Sequence, residues 1–238
     1  MKKPNGLTRE MFEGLMSKDW LDELESVLCS DQMAKTYAFI RWQKEHKIVV
    51  YPELDKAFRA FKETPLNQVR VVLLGQNPFH NGSSTGLSFA NRDIPGKALS
   101  PSLKVIFDEI EQSVYNGLML DKDPTLEKWA KQGVLLLNSS LTVEKGKPES
   151  HLDLWDLLIY RVFAVLKEWK PGTIYVFWGN KARKFLPCVD VSRNYVISGI
   201  HPAADVYREG AGFIGCNHFN KINDIIKANN GQHDLILW

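Results

Sequence analysis

The sequence predicts an α/β protein of three layers, with a central four-stranded, mostly parallel sheet and helices on both faces. Two observations carry this. Four short apolar, β-branched-rich runs are each cut off by a polar or glycine-bearing turn, as strands buried on both faces are. Between them lie segments whose apolar residues repeat about every 3.6 positions, the mark of helices with one buried stripe. Strands alternating with helices imply βαβ units joined by right-handed crossovers.

Taken in order, the first sixty-odd residues read as helical: Trp20, Leu21, Leu24 and Leu28 share one face, and Leu54, Phe58 and Phe61 share another. The strands are Val71 to Leu74 closed by Gly75, Gly133 to Asn138, Thr173 to Gly179, and Tyr195 to Pro202. Helices are expected over Ser102 to Tyr115 (Leu103, Phe107, Ile110, Val114) and over Leu152 to Trp169 (Leu154, Leu157, Leu158, Val162, Val165, Leu166). No Pro/Gly/Ser-rich linker divides the 238 residues, so residues 1–238 read as one domain, with 1–17 a loosely ordered N-terminal extension.

Composition narrows the function by exclusion. A hydrophobic share of 44% and a charged share of 24% are those of an ordinary globular chain. The net charge is only +2, so affinity for an anionic partner must come from a local cluster. Cys29, Cys188 and Cys216 are odd in number, far apart and without CxxC spacing, which disfavours a zinc site or a disulfide framework. Lys2 and Lys3 are followed by no apolar signal region, and no apolar run reaches the roughly 18 to 20 residues that cross a bilayer. A cytoplasmic protein without membrane contact is expected.

In open parallel sheets, ligands sit outside the carboxyl ends of the strands. That edge here collects Gln76-Asn77, Asn138, Trp178-Gly179-Asn180 and His201. Singly, each is as ordinary as a turn cap or a loop histidine; together they suggest a site.

These residues are where the chain resembles a known family. Gly75-Gln76-Asn77-Pro78-Phe79-His80 resembles the water-activating motif Gly-Gln-Asp-Pro-Tyr-His of the uracil-DNA glycosylases. Further matches follow in family order: Tyr51-Pro52, Gly86-Leu87-Ser88-Phe89, Pro101-Ser102-Leu103-Lys104, Gly133 to Asn138 with Leu141-Thr142-Val143, Ser150-His151, Trp178-Gly179, His201-Pro202 and Gly215-Cys216-Asn217-His218-Phe219. The similarity runs from about residue 18 to the C-terminus. Motifs in fixed order at compatible spacing are far more specific than any one tetrapeptide.

The resemblance implies a monomer acting on uracil-containing DNA, single- or double-stranded, with no metal and no organic cofactor; it leaves an inhibitor protein open. It implies catalytic roles for Asn77, which positions water, and His201, which stabilises the departing uracil. Base binding falls to Gln76, Phe79, Phe89 and Asn138. Asn138 reads the base, because one amide matches both the acceptor at O4 and the donor at N3, a pattern that cytosine inverts. Phe89 stacks on uracil or is a core residue beside Leu87, and Phe79 supplies the bulk that excludes a C5 methyl. His80, Ser102, Ala203 and Arg208 are placed at the DNA. Lys181, Arg183 and Lys184 either add basic contacts or are simply solvated.

Three departures stand out, with a smaller one at Asn180. Asn77 replaces the family's Asp, and an amide supplies no negative charge, although the mismatch-specific sister branch uses Asn there. After His201-Pro202 the family runs Ser-Pro-Leu-Ser and inserts the Leu into the base stack, whereas this chain runs Ala203-Ala204-Asp205-Val206-Tyr207-Arg208, with Asp205 expected to repel phosphates. Asn81 to Thr85 is shorter than the family's loop, and Asn180 stands where Ser is common. Slower catalysis, a catalytically weak or inactive uracil- or single-strand-binding module, and a glycosylase for 5-substituted uracils all remain open on these grounds.

Overall fold

The four apolar runs pair into one sheet whose strand order explains where a site can form. A computed structural model describes residues 6–96, 98–118, 121–169 and 171–238. Along the chain come α1 (Lys18–Leu28), α2 (Asp31–Glu45), β1 (Val50–Tyr51), α3 (Leu54–Ala57), α4 (Arg59–Glu63), β2 (Val71–Gly75), α5 (Pro101–Ser113), α6 (Glu127–Lys131) and β3 (Val134–Asn138). Then follow β4 (Val143–Glu144), α7 (Asp156–Trp169), β5 (Ile174–Trp178), α8 (Asn180–Arg183), β6 (Tyr195–Gly199), α9 (Ala203–Tyr207) and α10 (His218–Asn230).

The main sheet has the order β3-β2-β5-β6 with every pair parallel. Every residue of β2, β3 and β5 is buried, as it must be where helices cover both faces. From β2 the chain passes to β3 on one side and later to β5 on the other. The direction of winding therefore reverses between β2 and β5, and the crevice outside their carboxyl ends is the favoured place for a ligand.

Local chemistry sets the helix boundaries. Ser100 caps α5 by accepting from Leu103 N at 3.4 Å, and Pro101 occupies the first turn, where its missing N–H costs nothing. The helix expected from Leu152 starts at Asp156 instead, because 152–154 form a separate 3-10 turn. The β1–β4 antiparallel pair, two residues a side, and the helices α6, α9 and α10 had no counterpart in the sequence reading.

The expected loose N-terminal extension is packed from Leu7 onward; residues 1–5 lie outside the described residues. Leu7, Phe12 and Met16 are buried, and Phe12 meets Tyr37 and Phe58 edge-to-face at 5.8 and 5.7 Å. Burial of three large apolar side chains offsets the ordering of a short segment.

Candidate active site

Strand register brings the first two candidates together. Gly75 and Asn138 are partners at the carboxyl ends of β2 and β3. The Asn138 side chain lies across Gly75 so closely that a Cβ there would meet Asn138 Oδ1 at 2.4 Å and Ser88 Cβ at 2.9 Å. Glycine is what lets the amide occupy this spot. Asn138 is 5% exposed, and no hydrogen bond joins its amide to another described residue, so both ends of the amide are free to pair with a ligand.

The turn after β2 is anchored to the turn after β3. Gln76 O accepts from Ser140 N at 2.9 Å and from Ser139 Oγ at 3.0 Å. Gln76 Nε2 is buried without a hydrogen-bond partner at normal distance, although it lies near enough to Glu149 to help its Lys181 ion pair hold that carboxyl below its usual range. Asn77 Nδ2 donates to Pro78 O at 2.8 Å. This commits one N–H of the amide and leaves Oδ1 free to accept from a water.

His201 supplies the opposite wall. Ala203 N donates to His201 Nδ1 at 3.1 Å, which fixes the proton of the neutral ring on Nε2 and makes that nitrogen a donor. Burial pushes the imidazole below its ordinary pKa, so it is neutral at physiological pH. Gly179, at φ +87°, allows the approach: a Cβ there would stand 3.1 Å from His201 Cβ.

Phe89 packs against two residues of the cavity lining, His201 and Trp178. It is 9% exposed and sits at φ +63°, a conformation costly for an aromatic residue and most often kept where a site requires it. Its ring tilts against His201 at 5.9 Å and meets Trp178 edge-to-face at 5.5 Å. Behind it, Trp178 Nε1 donates to His218 Nδ1 at 3.0 Å. A cavity of about 200 Å³ opens here, lined by Leu74 to Gln76, Trp178 to Ala182 and His201.

Gln76 and His201 thus line this cavity, Asn77 follows Gln76, Asn138 lies against Gly75 of its lining, and Phe89 packs on His201 from the loop after β2. Phe79 is half-buried on the same turn, but no ring contact ties it to Phe89 or His201 among the described residues. His80 is held through its backbone, with Gly146 N donating to His80 O at 3.1 Å. Ser102 lies in the first turn of α5, beside Pro101, and Pro101 shares a cavity with Asp205 and Val206 of α9. Arg208 is exposed at the end of α9.

Two residues make contacts that the sequence reading did not foresee. Ala203 provides the amide that sets the His201 tautomer. Asp205 accepts from Phe213 N at 2.5 Å, Ile214 N at 3.0 Å and Gly212 N at 3.2 Å. Burial works against its charge, yet those amides outweigh it and hold the carboxyl below its usual range. Asp205 therefore organises its own loop, and the amides temper the repulsion expected of it. The cations after Trp178 are likewise engaged: Lys181 pairs with Glu149, Arg183 donates to Gly199 O at 3.2 Å, and Lys184 sits 3.6 Å from Asp156.

Sequence reasoning overlooked Glu109. Fully buried on α5, it accepts from Gly215 N at 2.5 Å and Asn217 N at 2.9 Å and tethers the loop that leads to His218. The available signal was a carboxylate flanked by Ile106, Phe107 and Ile110 on an otherwise apolar stripe. Among the described residues, no group of three His, Cys, Asp or Glu side chains is arranged to hold a metal ion, and no helix is long and apolar enough to cross a membrane.

Comparison with known proteins points one way. The sequence model of the uracil DNA glycosylase superfamily matches residues 61–227. A uracil-DNA glycosylase of Psychromonas ingrahamii is 38% identical over 204 residues, 84% of this chain and 91% of that protein. One from Sodalis glossinidius is 35% identical over 216 residues, 90% and 92% of the two chains. The crystal structure of mimivirus uracil-DNA glycosylase superimposes with a TM-score of 0.83 at 21% identity, covering 98% of this chain and 90% of that one. A mimivirus variant solved in complex with UGI gives 0.84 at 22% identity, over 98% and 92%.

Proposed function

This chain belongs to the uracil DNA glycosylase superfamily, and we propose that it is a uracil-DNA glycosylase that hydrolyses deoxyuridine in DNA through Asn77, Asn138 and His201. The observation that carries the reading is a buried, unengaged amide at Asn138 lying against Gly75, which lines the same cavity as a neutral His201 imidazole whose Nε2 is a donor.

In this reading the target nucleotide leaves the stack and its uracil enters the crevice. Asn138 pairs with O4 and N3, and mispairing with cytosine costs about 1 to 3 kcal/mol for each buried group left without a partner. Phe89 covers one face of the ring. The C1′–N1 bond breaks with its electron pair going to uracil, whose developing charge at O2 receives a hydrogen bond from His201 Nε2. A water held by Asn77 Oδ1 adds its oxygen to C1′ and loses a proton to solvent. Without the carboxylate's charge at the cationic sugar, the step is slower by roughly 10²-fold or more. Gln76 and Phe79 border the base, His80, Ser102, Ala203 and Arg208 face the phosphates, and the protein works as a monomer in the cytoplasm without metal or cofactor. Tyr207, 88% exposed at the end of α9, is the group placed to act as the wedge that the missing Leu would supply.

The experiment is release of uracil from single-stranded oligonucleotide by the unmodified protein and by Asn138→Ala and His201→Ala, with both substitutions expected to abolish it. Retarded migration of uracil-DNA with no abasic product would favour a binding module instead. Faster release from 5-hydroxymethyluracil than from uracil would move the substrate to 5-substituted bases.

A further inference from the structure

A carboxylate on a strained backbone is paired with the lining of the crevice. Glu149 lies in the loop between β4 and α7 at φ +69°, a conformation unfavourable for a glutamate and kept where the surroundings impose it. Two contacts impose it here. Glu144 N donates to Ser150 Oγ at 2.9 Å and closes the loop on itself, while Gly146 N donates to His80 O at 3.1 Å and ties it to the turn after β2.

The side chain so held reaches two groups of the cavity lining. It forms an ion pair with Lys181 Nζ and lies beside Gln76, whose buried Nε2 has no hydrogen-bond partner at normal distance. An ammonium and an amide N–H thus converge on one anion. Lys181 first and Gln76 second hold the Glu149 carboxyl below its usual range.

The pair differs from the other surface pairs in what it joins. Lys18 with Asp22 and Lys104 with Asp108 link adjacent turns of one helix, whereas Glu149 and Lys181 are 32 residues apart and link a loop to α8. Both side chains are about half exposed, where an ion pair adds little to stability and opens easily. A nucleotide whose base fills the cavity brings its phosphates to the rim, and a phosphate accepts charge-assisted hydrogen bonds from the same donors as a carboxylate.

We propose that Lys181, with the Gln76 amide beside it, is a phosphate contact for the target nucleotide, covered in the free protein by the Glu149 carboxylate, which the phosphate displaces. The proposal rests on the reading of DNA as substrate, and its outcomes separate the two. The probe is a labelled single strand with one 2′-fluoro-deoxyuridine, whose fluorine disfavours a cationic sugar and keeps the strand uncut during titration. Glu149→Gln should tighten binding about fivefold at low salt and steepen the fall of log K with log salt by about 0.7, the value of one phosphate contact on a single strand. Adding Lys181→Gln to that variant should remove the gain and restore the original slope. An equal gain with Lys181 absent would reduce Glu149 to simple repulsion and overturn the proposal. Unchanged or weaker binding in Glu149→Gln would also overturn it, leaving the pair as a structural tie. Uracil release by the unmodified protein with either of these results would leave the catalytic reading standing and sink this one. Tighter, Lys181-dependent binding in a protein that releases no uracil would do the reverse.

Discussion

Gly75→Ala tests the site at its tightest point. The added Cβ would stand 2.4 Å from Asn138 Oδ1 and 2.9 Å from Ser88 Cβ. Ordinary contact begins near 3.4 Å, so the Asn138 amide must retreat by about 1 Å. Ser88 has little room to yield, because its N donates to Leu136 O at 3.0 Å and its Oγ to Leu73 O at 3.3 Å. Overpacking of this kind costs about 1 to 3 kcal/mol, and each kcal/mol lowers the melting temperature of a chain this size by about 2 to 4 °C. The catalytic cost is larger than that suggests, since a displacement of about 1 Å in a positioning group can remove about 10²-fold in rate. The assay pairs single-turnover uracil release with thermal melting on the same preparation. The expected result is a rate lower by about 10²-fold in protein that is still folded at the assay temperature. A melting temperature that falls while the rate of the folded protein stays within about threefold would refute the claim that Gly75 exists to seat Asn138.

Three further perturbations address other parts of the account. Asn77→Asp puts a carboxylate where the proposed function places the water and should raise the chemical rate by about 10²-fold, read in single-turnover kinetics; an unchanged or lower rate would show that the missing charge is supplied elsewhere. His218, buried and close to the Lys221 charge, has its pKa lowered from 6.5 to about 4. Both folded and unfolded chains are neutral there above 6.5, and below it the unfolded chain takes up a proton that the folded one refuses. Stability should therefore fall as pH drops from 6.5 toward 4, and His218→Asn should remove part of that fall in pH-dependent melting curves. Glu109→Ala leaves the Gly215 and Asn217 amides without their acceptor and should cost about 2 to 4 kcal/mol by denaturant unfolding.

The parts of the fold that could be read in advance are those where burial leaves a periodic trace. Strands β2, β3 and β5 are covered on both faces, so each is an uninterrupted apolar run ending in a polar turn, and the strand-end residues follow from that. The β1–β4 pair is two residues long on each side and leaves no period to detect. The loop after His201-Pro202 conceals a different kind of information. Asp205 reaches seven to nine residues forward to gather amides, Glu109 reaches more than a hundred residues forward, and Ala203 acts through its backbone N–H alone. Such roles belong to three-dimensional proximity, and the side-chain types betray them only weakly. Phe89 lies between the cases: its motif marked it, while the positive φ and the contacts with His201 and Trp178 reveal how the chain holds its ring.

The central claim is that this crevice, with an amide at Asn77, still excises uracil. Its most direct test is detection of free base after incubating stoichiometric protein with single strands containing uracil, cytosine or thymine at one position. The account predicts uracil and a matching alkali-labile abasic site from the first strand and no base from the other two. No free uracil from that strand, or release of thymine at a comparable rate, would contradict it.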